Sequence, residues 1–177
     1  MRIVSGSYKG RIISPPKNFR ARPTTDTAKE GLFNILNNNF YFEDISVLDL
    51  FSGTGSISFE FASRGCNNIH LIENNSSHYR FINSMINKLG IESIRPIKTD
   101  AFKFLKDCKN QFDIIFADPP YDLCGIEEIP EIVFTRNLLN DNGWLILEHS
   151  SQHSFSGNNH FSETRKYGNV NFSLFKI

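Results

Sequence analysis

From Ile45 to Leu147 the chain repeats one pattern: short apolar runs alternate with longer stretches of helical periodicity. The runs are Val47–Leu50, Ile69–Ile72, Ile94–Ile97, Ile114–Ala117 and Trp144–Leu147. Strands this rich in apolar residues need cover on both faces, and strand–helix alternation lays them parallel. Helices are expected at Ser56–Arg64, stopped by Gly65, at Ser76–Leu89, between an Asn75 cap and Gly90, and at Ala101–Lys106. After His149 the pattern changes. Phe161–Tyr167 and Val170–Phe175 alternate around Gly168-Asn169, which reads as a β-hairpin. The expectation is an α/β fold: a seven-stranded, mostly parallel sheet that ends in an antiparallel pair. With 40% apolar residues and 17 Phe there is ample material for its core.

The front of the chain differs. Arg2–Val4 and Arg11–Ser14 flank a glycine-containing turn and predict a small N-terminal β-hairpin arm, followed by an extended Pro15-Pro16 segment. Thr24 or Thr25 then caps a helix through about Asn37, with Thr27-x-x-Glu30 as a capping box. The net charge of zero conceals a division. Residues 1–30 carry seven basic side chains, Lys29 among them, against Asp26 and Glu30, so this segment is +5 and the remainder −5. We read one domain, residues 1–177, composed of a basic arm (1–24) and a catalytic core (25–177). Cys66, Cys108 and Cys124 form neither a C-x-x-C pair nor an even set, which points to a reducing compartment without a disulfide framework or zinc. No apolar run is long enough to span a bilayer, and no secretory signal is visible, so a cytoplasmic monomer is the default expectation. The five histidines show no ligand spacing and read as surface or packing residues, and the aromatics of Phe33–Phe42 and Phe51 as core.

The first chemical signal is Asp49-Leu50-Phe51-Ser52-Gly53-Thr54-Gly55. A carboxylate at a strand end is followed by two glycines at a turn into a helix, where a ligand can approach the backbone and meet free N–H groups. Glu73 ends the second strand 20 residues after Gly53, where a carboxylate accepts both ribose hydroxyls. A nucleoside-containing cofactor is implied. A dinucleotide fingerprint wants a third glycine, and Ser58 occupies that place. Asp49 also suits a cationic ligand better than a pyrophosphate, so S-adenosylmethionine fits better than NAD. Candidate cofactor residues are Asp49, Phe51, Ser52, Gly53, Thr54, Gly55, Glu73, Asn74, Asp100 and Ala101. Asp100 has two readings, an acceptor for an adenine amine or only the cap of the helix at Ala101.

The second signal is Asp118-Pro119-Pro120-Tyr121, which runs straight off the fourth strand. Two prolines make a stiff shelf at the sheet edge where ligands bind in open α/β folds. A planar aromatic amine is a poor nucleophile, and acceptors that hold its N–H groups aim its lone pair. Asp118 and the Pro119 carbonyl supply such acceptors, Pro120 stiffens them, and Tyr121 offers a stacking face.

These residues resemble the class I S-adenosylmethionine-dependent methyltransferases with a D/N-P-P-Y/F shelf, a Rossmann-like fold. More closely, the chain is similar to the RsmD-type 16S rRNA (guanine(966)-N2)-methyltransferase family. The likeness covers nearly the whole chain: Arg2–Gly6 with Lys9-Gly10-Arg11, Arg22-Pro23-Thr24-Thr25-Asp26, Glu30-x-Leu32-Phe33-Asn34, Asp49–Gly55, Asp118–Tyr121 and Tyr167-Gly168. The resemblance implies methyl transfer from S-adenosylmethionine to a guanine N2 amine in small-subunit rRNA. The arm would help to grip 16S rRNA or a 30S assembly particle, and Lys9, Arg11, Arg20 and Arg22 are the expected phosphate contacts. The same shelf serves N6-adenine methylation of DNA or RNA, which is the alternative reading. Glutamine methylation commonly has Asn where Asp118 stands, and a non-catalytic RNA-binding scaffold would not need both motifs intact.

Overall fold

The computed structural model describes residues 1–16, 19, 25–121 and 123–177. Five parallel strands, β1 (Ser46–Leu50), β2 (Asn68–Ile72), β3 (Ile94–Ile97), β4 (Phe112–Ala117) and β5 (Leu139–His149), are extended by an antiparallel hairpin, β6 (Phe161–Tyr167) and β7 (Val170–Lys176). The order across the sheet is β3-β2-β1-β4-β5-β7-β6. The direction of winding therefore reverses between β1 and β4, and such a switch point opens a crevice at the carboxyl ends of those two strands. This is the expected seven-stranded α/β architecture.

Helices α1 (Asp26–Asn37), α2 (Ser56–Ser63), α3 (Ser76–Leu89), α4 (Ala101–Asp107) and α5 (Glu128–Thr135) cover the sheet. The pleat divides the core in two. Val47, Ile114, Phe116 and Ile146 face α1, α2 and α3, whereas Leu48, Leu50, Ile115, Ala117, Leu145 and Leu147 face α4 and α5. Phe33 and Phe42 belong to the first half, but Tyr41, expected in the core, is 80% exposed. Helix α5 is not singled out by periodicity, because Pro130 interrupts its pattern. Proline is tolerated there because it stands in the first turn, whose N–H groups have no partner within the helix. Strand β5 begins five residues before Trp144, and the chain bulges between the Leu139 and Trp144 pairings. Among the described residues no helix is long and apolar enough to cross a membrane.

Local signals place the helix starts. The Asn75 side chain accepts from Ser77 and His78 N–H, and Gly90 ends α3 with φ of 65°. Thr25 caps α1 by accepting the Ala28 N–H at 3.2 Å. Thr27 then lies inside the helix, so the expected Thr27–Glu30 capping box does not form. Thr24 lies outside the described residues.

The arm is narrower than a two-stranded ribbon, with one bridge between Arg2 and Ile12 and flanking bonds from Ile3 to Arg11 and from Ile13 to Met1. It is fastened by a buried carboxylate. Glu60, on α2, accepts the Val4 N–H (2.8 Å), the Ser5 N–H (3.0 Å) and Arg64 Nε (2.9 Å), and Lys29 Nζ stands 3.7 Å away. Lys29 in turn donates to the Arg2 carbonyl at 2.6 Å and to Ser56 Oγ. With Lys29 1% and Glu60 0% exposed, this lysine is a clasp within the fold and not one of the cations facing solvent, which corrects its place in the +5 count. Arg2 is likewise paired, with Asp26 at 3.1 Å. Burial lowers the Lys29 pKa, opposed by Glu60.

Removing one member of a buried pair strands the other charge. Glu60→Ala is therefore expected to destabilise the protein by about 3–5 kcal/mol. The check is urea unfolding followed by tryptophan fluorescence; a loss below about 1 kcal/mol would contradict the clasp.

Candidate active site

The glycine loop and the proline shelf leave neighbouring parallel strands at the same edge. Leu50 pairs with Ala117, and the Asp118 N–H points to the Leu50 carbonyl at 3.5 Å. The two motifs thus meet at the switch point because β1 and β4 are adjacent, although 63 residues separate Gly55 from Asp118.

The loop from Phe51 to Gly55 is held from both sides. Ser52 Oγ donates to the Asp49 carbonyl (2.8 Å) and to the Ile72 carbonyl (3.0 Å), and the Gly55 N–H returns to the Ser52 carbonyl. Gly53 and Gly55 take φ of 54° and 76°, and Phe51 takes 58°, a conformation unfavourable for a side chain. A Cβ on Gly55 would lie 2.9 Å from the Phe59 ring, so the turn tolerates no larger residue. Thr54 Oγ1 donates to Met1 Sδ at 3.1 Å, which ties the arm to the loop.

Glu73 is buried and fixed at both oxygens. Oε2 accepts the Gly53 N–H at 2.8 Å and Oε1 accepts the Asn75 N–H at 2.7 Å. Such a carboxylate is pre-oriented and keeps lone pairs for a ribose diol. Asn74 follows it at the exposed turn into α3. Asp100 caps α4 through the Lys103 N–H at 2.9 Å, and Ala101 is buried behind it. The cap reading of Asp100 is thus observed.

Asp49 points into the protein. Its carboxylate accepts Ser58 Oγ at 2.5 Å and the Ser58 N–H at 3.2 Å, so the residue that replaces the third glycine anchors the start of α2 to β1. Burial pushes the Asp49 carboxyl up to about 7, against the hydrogen bonds from Ser58. Asp118 is half-buried, and its pKa is also raised by desolvation, with the negative charges of Glu148 and Asp49 adding to it. Pro119 is buried and Pro120 exposed, while Tyr121 stands 51% exposed at the rim.

Two neighbours escaped the sequence reading. His78 Nδ1 lies 3.6 Å from Glu73 Oε2, and its ring stacks on Phe19 at 3.9 Å, which brings the arm segment beside the carboxylate. Glu148, the penultimate residue of β5, lies next to Asp118 and is buried, and its position directly after an apolar run was the available signal. Lys9 and Arg11 are exposed on the arm, and Arg11 lies over the Tyr8 ring. Arg20 and Arg22 lie outside the described residues. A cleft of about 430 Å³ opens between the arm, α1 and Arg64, with Arg2 and Lys9 at its wall.

A switch-point crevice with a glycine turn, a ribose-type acid and a proline shelf defines the class I methyltransferase architecture. Comparison with known proteins narrows it. The family described as "Conserved hypothetical protein 95" matches residues 1–176, and the chain belongs to this family, that of the RsmD-type proteins. It is 34% identical to "Ribosomal RNA small subunit methyltransferase D" of Escherichia coli, over 82% of this chain and 69% of that protein. The solved structure "Putative methyltransferase yhhF from Escherichia coli" superposes with a TM-score of 0.86 at 26% identity, covering 99% of this chain and 97% of the other. An RNA methyltransferase from Salinibacter ruber, in complex with S-adenosyl-L-homocysteine, shares the fold at 14% identity, with a TM-score of 0.69 over 88% and 94% of the two chains.

The raised Asp49 pKa carries a stability consequence. In the folded protein Asp49 keeps its proton between about pH 4 and 7, where the unfolded chain has released it, so the folded state binds more protons and stability falls as pH rises through that window. Asp49→Asn, which cannot titrate, should gain on wild type by on the order of 1 kcal/mol per pH unit there. Urea titrations of both proteins at pH 5 and 7 test this. A constant gap between them would mean that Asp49 does not titrate in the window.

Proposed function

We propose that the protein transfers a methyl group from S-adenosylmethionine to the exocyclic N2 amine of a guanine in 16S rRNA, free or within a 30S assembly particle. The observation that carries the reading is the adjacency of the Gly53–Gly55 turn and Glu73 to the Asp118–Tyr121 shelf across β1 and β4. Support also comes from relatives named as small-subunit rRNA methyltransferases. In this reading residues 25–177 are the catalytic core, and residues 1–24 are the arm, one unit with it.

The site suits the cofactor. Glu73 is held by two backbone N–H groups in an orientation that leaves it able to receive a ribose diol, and the left-handed glycines keep the loop free of side chains where a ligand would lie. Asn74 and Asp100–Ala101 would hold the adenine end, and Phe51, Ser52 and Thr54 complete the loop. When bound, S-adenosylmethionine supplies a methyl carbon made electrophilic by its sulfonium. The remaining work falls to the protein. Asp118 and the Pro119 carbonyl accept the amine N–H groups and turn the nitrogen lone pair toward the methyl. Tyr121 stacks on the base. Alkylation makes the nitrogen acidic, and Asp118, with its raised pKa, is well matched to take the proton at its carboxylate. Lys9 and Arg11 on the arm, with Arg20 and Arg22, neutralise phosphates.

Asp118→Ala should lower kcat by at least about 10²-fold and leave S-adenosylhomocysteine affinity within a few-fold in calorimetry. Glu73→Ala should weaken that affinity by about 10–100-fold, the loss of hydrogen bonds to a charged acceptor. Retained turnover in the first variant, or unchanged affinity in the second, contradicts the assigned role. Replacing Lys9 and Arg11 with Gln should weaken RNA binding at all sequences and reduce its salt slope by about 1–2. The base is identified by mass spectrometry of nucleosides from 30S particles lacking the modification after incubation with the enzyme. N2-methylguanosine is expected, and N6-methyladenosine would favour the adenine alternative.

A further inference from the structure

We propose that Glu148 reads the target base by accepting the N1–H of guanine while Asp118 accepts from the N2 amine of the same edge. The inference rests on the guanine reading above and deepens it.

Glu148 is placed for this by register. Ala117 of β4 pairs with Leu147 of β5, so the next residues of the two parallel strands, Asp118 and Glu148, are neighbours at the carboxyl edge. The pleat puts them on one face. Phe116 and Ile146 belong to the half of the core against α1 and α2, and Ala117 and Leu147 to the other, so alternation returns Asp118 and Glu148 to the side of Phe116 and Ile146. The two carboxyls sense each other, since Glu148 contributes to the rise in the Asp118 pKa. Glu148 is 3% exposed, a burial that acidic residues rarely adopt unless paired. A carboxylate has about four acceptor positions, and the proposal assigns one of them at Glu148 to the base.

Two adjacent acceptors select the edge they can bind. Guanine presents its N2 amine beside the N1–H, donor next to donor. Adenine presents N6–H beside the N1 lone pair, and cytosine N4–H beside the N3 lone pair, so each would set an acceptor against Glu148. Among the amino-bearing bases only guanine satisfies both carboxyls. A base taken out of its stack is read in this way on its Watson–Crick edge. A site built to hydrogen-bond a substrate N–H rejects the analogue lacking it by a large factor, because its own buried group is left unpaired.

The test uses a small-subunit RNA fragment whose mapped target is guanosine or 2,6-diaminopurine riboside, which keeps the N2 amine but carries a lone pair at N1. Wild-type protein should prefer guanosine by about 10²-fold or more in kcat/KM. Glu148→Gln can turn its amide to donate to N1. It should lose tenfold or more on guanosine, hold the preference below about tenfold, and bind S-adenosylhomocysteine within about threefold of wild type. Wild-type protein that accepts both bases equally overturns the proposal, as does a Gln variant with unchanged preference. If the variant does not fold, the wild-type comparison decides alone. Methylation of an adenine in place of a guanine sinks the underlying reading, and is distinguished from failure of the Glu148 role by the identity of the product nucleoside.

Discussion

The parallel pairing of β1 with β4 is the contact on which the site depends. It closes the long sequence separation between the glycine turn and the proline shelf, and because winding reverses there, no crossover helix covers the crevice. Each motif is stiffened before a ligand arrives. Ser52 and Glu73 tie the turn to β2, and two prolines fix the shelf at the end of β4. Pre-set geometry of this kind matters for methyl transfer, where the attacking atom must be in line with the breaking carbon–sulfur bond.

A second knot joins the arm to the core. Glu60 receives backbone N–H groups of the arm, Arg64 from its own helix and the charge of Lys29 from α1, so three segments converge on one carboxylate. Met1 reaches Thr54 and Phe19 reaches His78, which brings the arm to two edges of the cofactor loop region. The basic arm and the glycine loop are thereby mechanically connected through α2.

The strands, four of the helices, the C-terminal hairpin and both chemical motifs were legible because each rests on local signals: apolar runs, caps, glycines and prolines. What the sequence hid depends on long-range pairing. Lys29 reads as one more basic residue until α2 brings Glu60 beneath it. Asp49 reads as a ligand-facing charge until Ser58 is seen to bond its Oδ2 twice. Glu148 reads as the end of a strand until β5 sets it beside Asp118. Helix α5 was masked by a proline whose placement in a first turn only the fold reveals.

Three acids, Asp49, Asp118 and Glu148, converge near one rim with two of their pKa values driven upward. Their mutual repulsion is least well compensated when the crevice holds only water. In the proposed reaction a cationic sulfonium and a donor-rich base edge would both relieve it. In the proposed cycle, emptying the site would restore that repulsion.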